Sequence, residues 1–229
     1  MAGSRHNDNS TEPFGEPYMR HSYYFVSIAA LLALIACNGT KKPSDANFRT
    51  TINRYLAKHG EACTGIGRQF PVDISDAEQR LHSDAASQMA VLEQAGLVHS
   101  SNTTAVIHGM LDALRGPTPP QSVKRYDLTA DGRRYFRQRA DTLGQTASFC
   151  YGEKTVDSIV KWTEPVTVGA TTQTEVTYTY KIANLPPWAT RVDIQRQFGD
   201  VRVIVNGISK SNEIAELQLT NQGWEVPGQ

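Results

Sequence analysis

The chain predicts an α+β protein: a helical N-terminal part over residues 47–147, then an antiparallel β-sheet with one short helix over residues 148–229. Three observations carry this. Before Ser148 apolar residues recur at helical spacing, as in Phe48, Ile52, Tyr55 and Leu56. After it they alternate: Val176, Tyr178, Tyr180 and Ile182 on one side, Glu175, Thr177, Thr179 and Lys181 on the other. Gly116-Pro117-Thr118-Pro119-Pro120 and Pro186-Pro187 punctuate the chain where helices and strands must stop.

The first helix is expected to be capped by Ser44 or Asp45 and stopped by Gly60. A second begins at Ser75, which stands at capping-box distance from Glu78. Its inner face is read as Leu81, Ala85, Met89 and Leu92, with a possible break at Ser83-Asp84 and a stop at Gly96. Leu97-Val98 opens a strand and Lys124 to Leu128 returns it. Between them Val106, Met110, Leu111 and Leu114 read as a short helix. Thr129 caps a further helix carrying Tyr135 and Phe136. In the second part, Val156, Ser158, Val160 and Trp162 are expected on one strand face. Trp188 to Phe198 reads as the short helix, Ala215, Leu217 and Leu219 as a strand, and Trp224 to Val226 as the closing strand after the turn Thr220 to Gly223.

The N-terminal segment carries the compartment signal. Arg20-His21 precede an uncharged run from Phe25 to Ala36 that stops at Cys37, and Asn38-Gly39-Thr40-Lys41-Lys42 follow. A basic flank, a short apolar stretch, small residues and a polar exit are the parts of an export signal. The run is too short for a membrane-spanning helix, which takes about 20 apolar residues. Residues 1–18 are polar, contain Pro13 and Pro17, and are expected to be either a disordered extension or the product of a mis-called start; Met19-Arg20-His21 would be a conventional start for the signal over 19–36.

Leu34-Ile35-Ala36-Cys37 resembles the lipobox of bacterial lipoproteins. The resemblance implies cleavage before Cys37, lipidation of that cysteine, and a tether over residues 37–46. Asn38 stands where an aspartate would retain the protein in the inner membrane, so the resemblance implies the periplasmic face of the outer membrane. With Cys37 taken by lipid, Cys63 and Cys150 remain, and in an oxidising compartment the pair is most simply a disulfide. The alternative, a reactive Cys63 aided by His59, needs a helical turn that Gly60 interrupts.

A second resemblance covers residues 47–140. Leu92-Glu93-Gln94-Ala95-Gly96-Leu97-Val98 and the later Leu128-Thr129-Ala130-Asp131-Gly132 look like the helix stop and helix start around the wing of a winged-helix domain. DNA-binding members place a basic recognition helix in the major groove. The corresponding stretch here, Asp84 to Gln94, contains Asp84 and Glu93 but no lysine or arginine. Lys124, Arg125, Arg133, Arg134, Arg137 and Arg139 form a basic cluster that reads as a solvated surface or a face toward anionic lipid. Lys plus Arg number 23 against 23 Asp plus Glu, so the chain has no overall pull toward nucleic acid.

No metalloprotease, serine-hydrolase or phosphate-loop motif is present. His59, His82, His99 and His108 lack partners at metal-ligand spacing, so no cofactor or metal is expected. Asp157, Glu164, Glu175, Asp193 and Asp200 are the carboxylates available for acid–base work. Trp162, Tyr178, Tyr180, Trp188 and Trp224 are read either as core rings or as a groove for a glycan or peptide. The expected function is a membrane-anchored, non-catalytic envelope protein with protein or cell-wall partners. The alternatives are a periplasmic hydrolase of envelope polymers using carboxylates and an exported inhibitor or regulator.

Overall fold

The computed structural model describes residues 39–107, 119–141 and 144–228. The signal segment, Cys37 and the helix expected around Met110, Leu111 and Leu114 lie outside the described residues. Residues Pro43–Gln229 form one compact unit, distinct from Met1–Lys42. It is α+β with antiparallel sheets.

Helix α1 (Asp45–His59) starts at Ser44, whose hydroxyl accepts from the Asn47 N–H at 3.4 Å, and ends at Gly60. Its apolar stripe, Phe48, Ile52 and Leu56, is buried. β1 (Glu61–Gly65) follows, then β2 (Val72–Ser75). The Ser75–Glu78 capping box is formed and opens α2 (Asp76–Arg80). The expected break is present: α3 (Asp84–Gln94) begins afresh from the Ser83 cap. Met89 and Leu92 face inward, but Leu81 is 80% exposed, because the break takes it off the helical register of α3.

β3 (Val98–Ala105) and β4 (Gln121–Leu128) pair antiparallel, and β2 adds to β4, making a three-stranded sheet in the order β2-β4-β3. Thr129 accepts from the Gly132 N–H at 2.9 Å and starts α4 (Ala130–Tyr135). The helix stops one residue short of expectation: Phe136 is the first residue of β5 (Phe136–Asp141). β5 pairs with β6 (Gly144–Trp162), so the change to strand comes at Phe136 rather than Ser148.

The larger sheet runs β1-β6-β8-β9-β10, where β8 is Thr171–Ala183, β9 is Asn212–Thr220 and β10 is Gly223–Glu225, with β5 also on β6 and β7 (Val166–Val168) on β8. The short helix expected over Trp188 to Phe198 is a 3₁₀ turn (Pro187–Thr190) followed by α5 (Val192–Gln197) and α6 (Gly199–Asn206). β9 and β10 close the sheet. The expected face of β6 is corrected by register shifts between Val156 and Ser158 and between Ile159 and Lys161. Each shift inserts an unpaired residue and reverses the side-chain alternation. Val156 and Ile159 therefore pack inward, while Val160 is 50% exposed.

Two cores result, and β6 serves both. Beneath α1, Phe48, Ile52 and Leu56 pack on Val156, Val176, Tyr178, Tyr180, Leu217 and Trp224. The other core gathers β2–β4, α3, the start of β6 and α5–α6 around Phe149, Tyr151 and Trp188. β1, from the N-terminal part, pairs with β6 at Cys63↔Cys150, and their sulfurs form a disulfide, with Sγ atoms 2.07 Å apart.

Candidate functional site

A group of interacting ionisable side chains lies beside the C-terminal end of α1. Tyr178 and Glu213 are register partners on β8 and β9. The Tyr178 hydroxyl donates to Glu213 Oε2 at 2.9 Å. Lys154 of β6 pairs with the other carboxylate oxygen, and its Nζ lies 4.4 Å from the Tyr180 ring centroid. The Tyr180 hydroxyl donates to the Ile204 carbonyl at 2.8 Å. Tyr55 and His59, one turn apart on α1, stack at 4.6 Å. Tyr55, His59, Gly60, Cys63, Lys154, Tyr178 and Glu213 border a cleft of about 290 Å³, and Tyr55 and Tyr178 also border a neighbouring one of about 230 Å³.

Burial pushes the Tyr178 phenol well above its ordinary range, and the Glu213 charge and hydrogen bond add to this. Burial and Glu213 move Tyr180 the same way. Both phenols are therefore protonated donors at neutral pH. Glu213 takes one proton donor on each oxygen, the Tyr178 hydroxyl on one and Lys154 Nζ on the other. The arrangement orients side chains and can offer a polar, ring-lined surface to a ligand. It holds no activated nucleophile.

The five aromatic residues singled out in the sequence divide between the cores. Phe48 sits edge-on to both Trp162 and Trp224, each at 5.3 Å, with Tyr178 and Tyr180 in the same cluster. Trp188 belongs to the other core, 5.9 Å from Tyr151 and 6.3 Å from Phe149. The set is thus core in both regions, and Tyr178 is the member that lines the clefts just described. Lys154 and Glu213 escaped the sequence reading. Strand parity could have found them: Lys154 shares the inward face of Val156, and Glu213 that of Ala215 and Leu217.

Four of the six basic residues are paired with carboxylates. Arg125 makes a two-pronged bond to Asp73, both contacts at 2.7 Å, and Lys124 meets Glu93 at 3.1 Å. Arg134 pairs with Asp131, and Arg137 with Glu61. The side chain of Arg139 lies outside the described residues. Among the carboxylates, Asp193 binds Arg191 and Asp200 accepts from Thr64. Glu175 stands opposite Glu216, which the sequence reading did not single out, as an exposed register partner across β8 and β9 beside a cleft of about 410 Å³. His82 occupies the break between α2 and α3 with a positive φ of 47°, and His99 is an exposed strand residue facing Asp127 in register. His108 lies outside the described residues. Glu61, Cys63 and Cys150 converge closely enough to suit a metal ion, but both sulfurs are committed to the disulfide. Among the described residues no helix is long and apolar enough to cross a membrane.

Comparison with known proteins finds no matching family model, no matching curated protein and no matching solved structure.

Proposed function

We propose that this chain is an exported, lipid-anchored envelope protein that acts by binding rather than by catalysis. The observation that carries the reading is the division of labour among its three cysteines. Cys63 and Cys150 sit opposite each other on β1 and β6 as a disulfide, the chemistry of an oxidising compartment. Cys37 is the one left over, at the end of the apolar run. Lipid on Cys37 would hold Pro43–Gln229 at the periplasmic face of the outer membrane, with envelope proteins or cell wall as its partners.

The helical part is read as a winged-helix-like module turned to protein contacts. The order α3, β3–β4 hairpin and Thr129-capped α4 supports this reading. Its would-be recognition helix buries Met89 and Leu92 and carries no cation for phosphate or base contacts. On this reading its partners are proteins rather than nucleic acid.

Glu175 and Glu216 are the observation that favours a carboxylate hydrolase as a second reading. Acid–base pairs work through contrasting environments. Both of these side chains are open to water on one sheet face, so binding stays the preferred function.

Growing cells with a clickable fatty acid tests the anchor. The wild type should label and Cys37→Ala should not. Equal labelling of both would overturn the proposal.

A further inference from the structure

The sheet ends in an uncharged tip on the side from which the tether departs. From Pro165 to Thr174, and again from Leu217 to Trp224, there is no Asp, Glu, Lys or Arg. These stretches are neighbours: β8 pairs with β9 at Thr172↔Leu219 and Gln173↔Gln218. The β7–β8 hairpin and the β9–β10 turn therefore project from the same end of the sheet. Val166 and Val168 on that hairpin are 57% and 65% exposed.

The N-terminus of α1 belongs to this end too. The Trp162 indole donates to Asp45 Oδ1 at 3.0 Å, while the other end of the helix meets β6 where the Lys154 N–H donates to the Gly60 carbonyl. Trp162 is the register partner of Val176. Ala170 at the tip lies six residues beyond Val176, about 20 Å at ~3.3 Å per residue. Cys37 precedes the Ser44 cap by seven residues, which reach at most about 25 Å when extended. An anchor on Cys37 thus keeps the α1 N-terminus within a distance of the bilayer that the hairpin itself can span.

We infer that the β7–β8 hairpin tip is a second membrane contact, a small uncharged patch that lies against the lipid headgroups beside the anchored tether. The inference rests on the lipid-anchor reading above. Exposed Glu164 and Glu175 at the hairpin base set the limit of immersion, because charged groups stay hydrated. The contact is weak alone and effective because the anchor makes it intramolecular. It would fix the orientation of the unit, turning the far end of β6 and the winged-helix-like part toward the periplasm.

The test imposes the anchor chemically, so that it does not depend on cellular lipidation. The chain from Cys37 onward, with Cys63–Cys150 oxidised, is coupled through the Cys37 thiol to maleimide lipid. The vesicles are phosphatidylethanolamine with a minority of phosphatidylglycerol. Val168→Trp, Val166→Trp and, at the far end, Leu81→Trp are compared with the parent for quenching by lipids brominated near the headgroup. The fractional quenching of both hairpin variants should exceed that of the parent by about twofold, while that of Leu81→Trp should match the parent. Equal quenching at both ends would overturn the inference. So would hairpin shielding that tracks protein density rather than bromine, which would assign the tip to a second copy of the chain. Fatty-acid labelling of cells reads the anchor separately, so the two claims can fail independently.

Discussion

The two cores are built in opposite ways. The one beneath α1 sets one amphipathic helix against one sheet. Its rings come from elements that are regular over many residues, and Phe48 is completely buried between Trp162 and Trp224. The other is assembled from short pieces: three helices, a three-stranded sheet, a 3₁₀ turn and the start of β6, converging on Phe149, Tyr151 and Trp188. Among the described residues, the Tyr151 hydroxyl and Trp188 Nε1 are buried there without hydrogen-bond partners. Regular elements bring their own backbone bonds and a periodic apolar face. Short pieces depend on neighbours for both. β6 joins the two regions, giving Phe149 and Tyr151 to one and Val156 and Ile159 to the other.

The largest expected effect tests what holds the assembled core to the sheet. The Cys63–Cys150 bridge spans a sequence separation of 87. Removing it with Cys63→Ala plus Cys150→Ala should cost about 4–5 kcal/mol on the loop-entropy relation. Urea melts followed by tryptophan fluorescence measure it. A loss below about 1 kcal/mol would mean that β1–β6 pairing alone closes the loop.

Next come two matched truncations, Phe48→Ala and Phe149→Ala, both at fully buried sites. Each should cost about 3–5 kcal/mol. Because β6 is common to both cores, each variant should shift one shared transition, seen alike by near-UV and far-UV circular dichroism. Separate transitions in either variant would break the claim that Pro43–Gln229 is one cooperative unit.

How much of this was legible follows the same contrast. α1 could be read with its cap and stripe, since Ser44, Phe48, Ile52 and Leu56 are local signals. So could the Ser75–Glu78 box, the break before α3 and the Thr129 cap. β5 could not. Phe136-Arg137-Gln138-Arg139 continues a charged helical pattern, and it becomes a strand because β6 is there to pair with it. The bulges of β6 depend equally on a partner, which is why plain alternation puts Val156, Ser158, Val160 and Trp162 on one face and the structure does not. Lys154 and Glu213 were passed over for a related reason. Each looks like a surface charge until its strand register turns it toward Tyr178 and Tyr180.

A smaller effect bears on the assembled region alone. Ser75→Ala removes the hydroxyl that accepts from the Glu78 N–H at 3.3 Å, so α2 loses its cap. The cost should be about 1 kcal/mol by chemical denaturation. A neutral result would mean that α2 contributes nothing to holding β2 in place.

The smallest effect is in pH. Burial works against the Glu78 carboxylate, but the Ser75 N–H, Arg68 and the Ser75 hydroxyl together hold it below its ordinary 4.5. A carboxyl lowered in the folded state adds stability that is present above 4.5 and lost as pH falls through the folded value. Solvent screens this partly exposed site, so the contribution should stay under about 1 kcal/mol. Glu78→Gln should be less stable than the parent at pH 7 and should lose less on going to pH 3. Parallel acid profiles for the two proteins would contradict the assignment.

The central claim is that three cysteines have two fates, and the intact mass of the protein extracted from membranes without reduction reads both at once. The account predicts a chain that begins at Cys37, is heavier by its lipid, and is lighter by the two hydrogens lost in closing Cys63 to Cys150. A chain with unmodified Cys37, or one that retains the residues before it, would contradict the account.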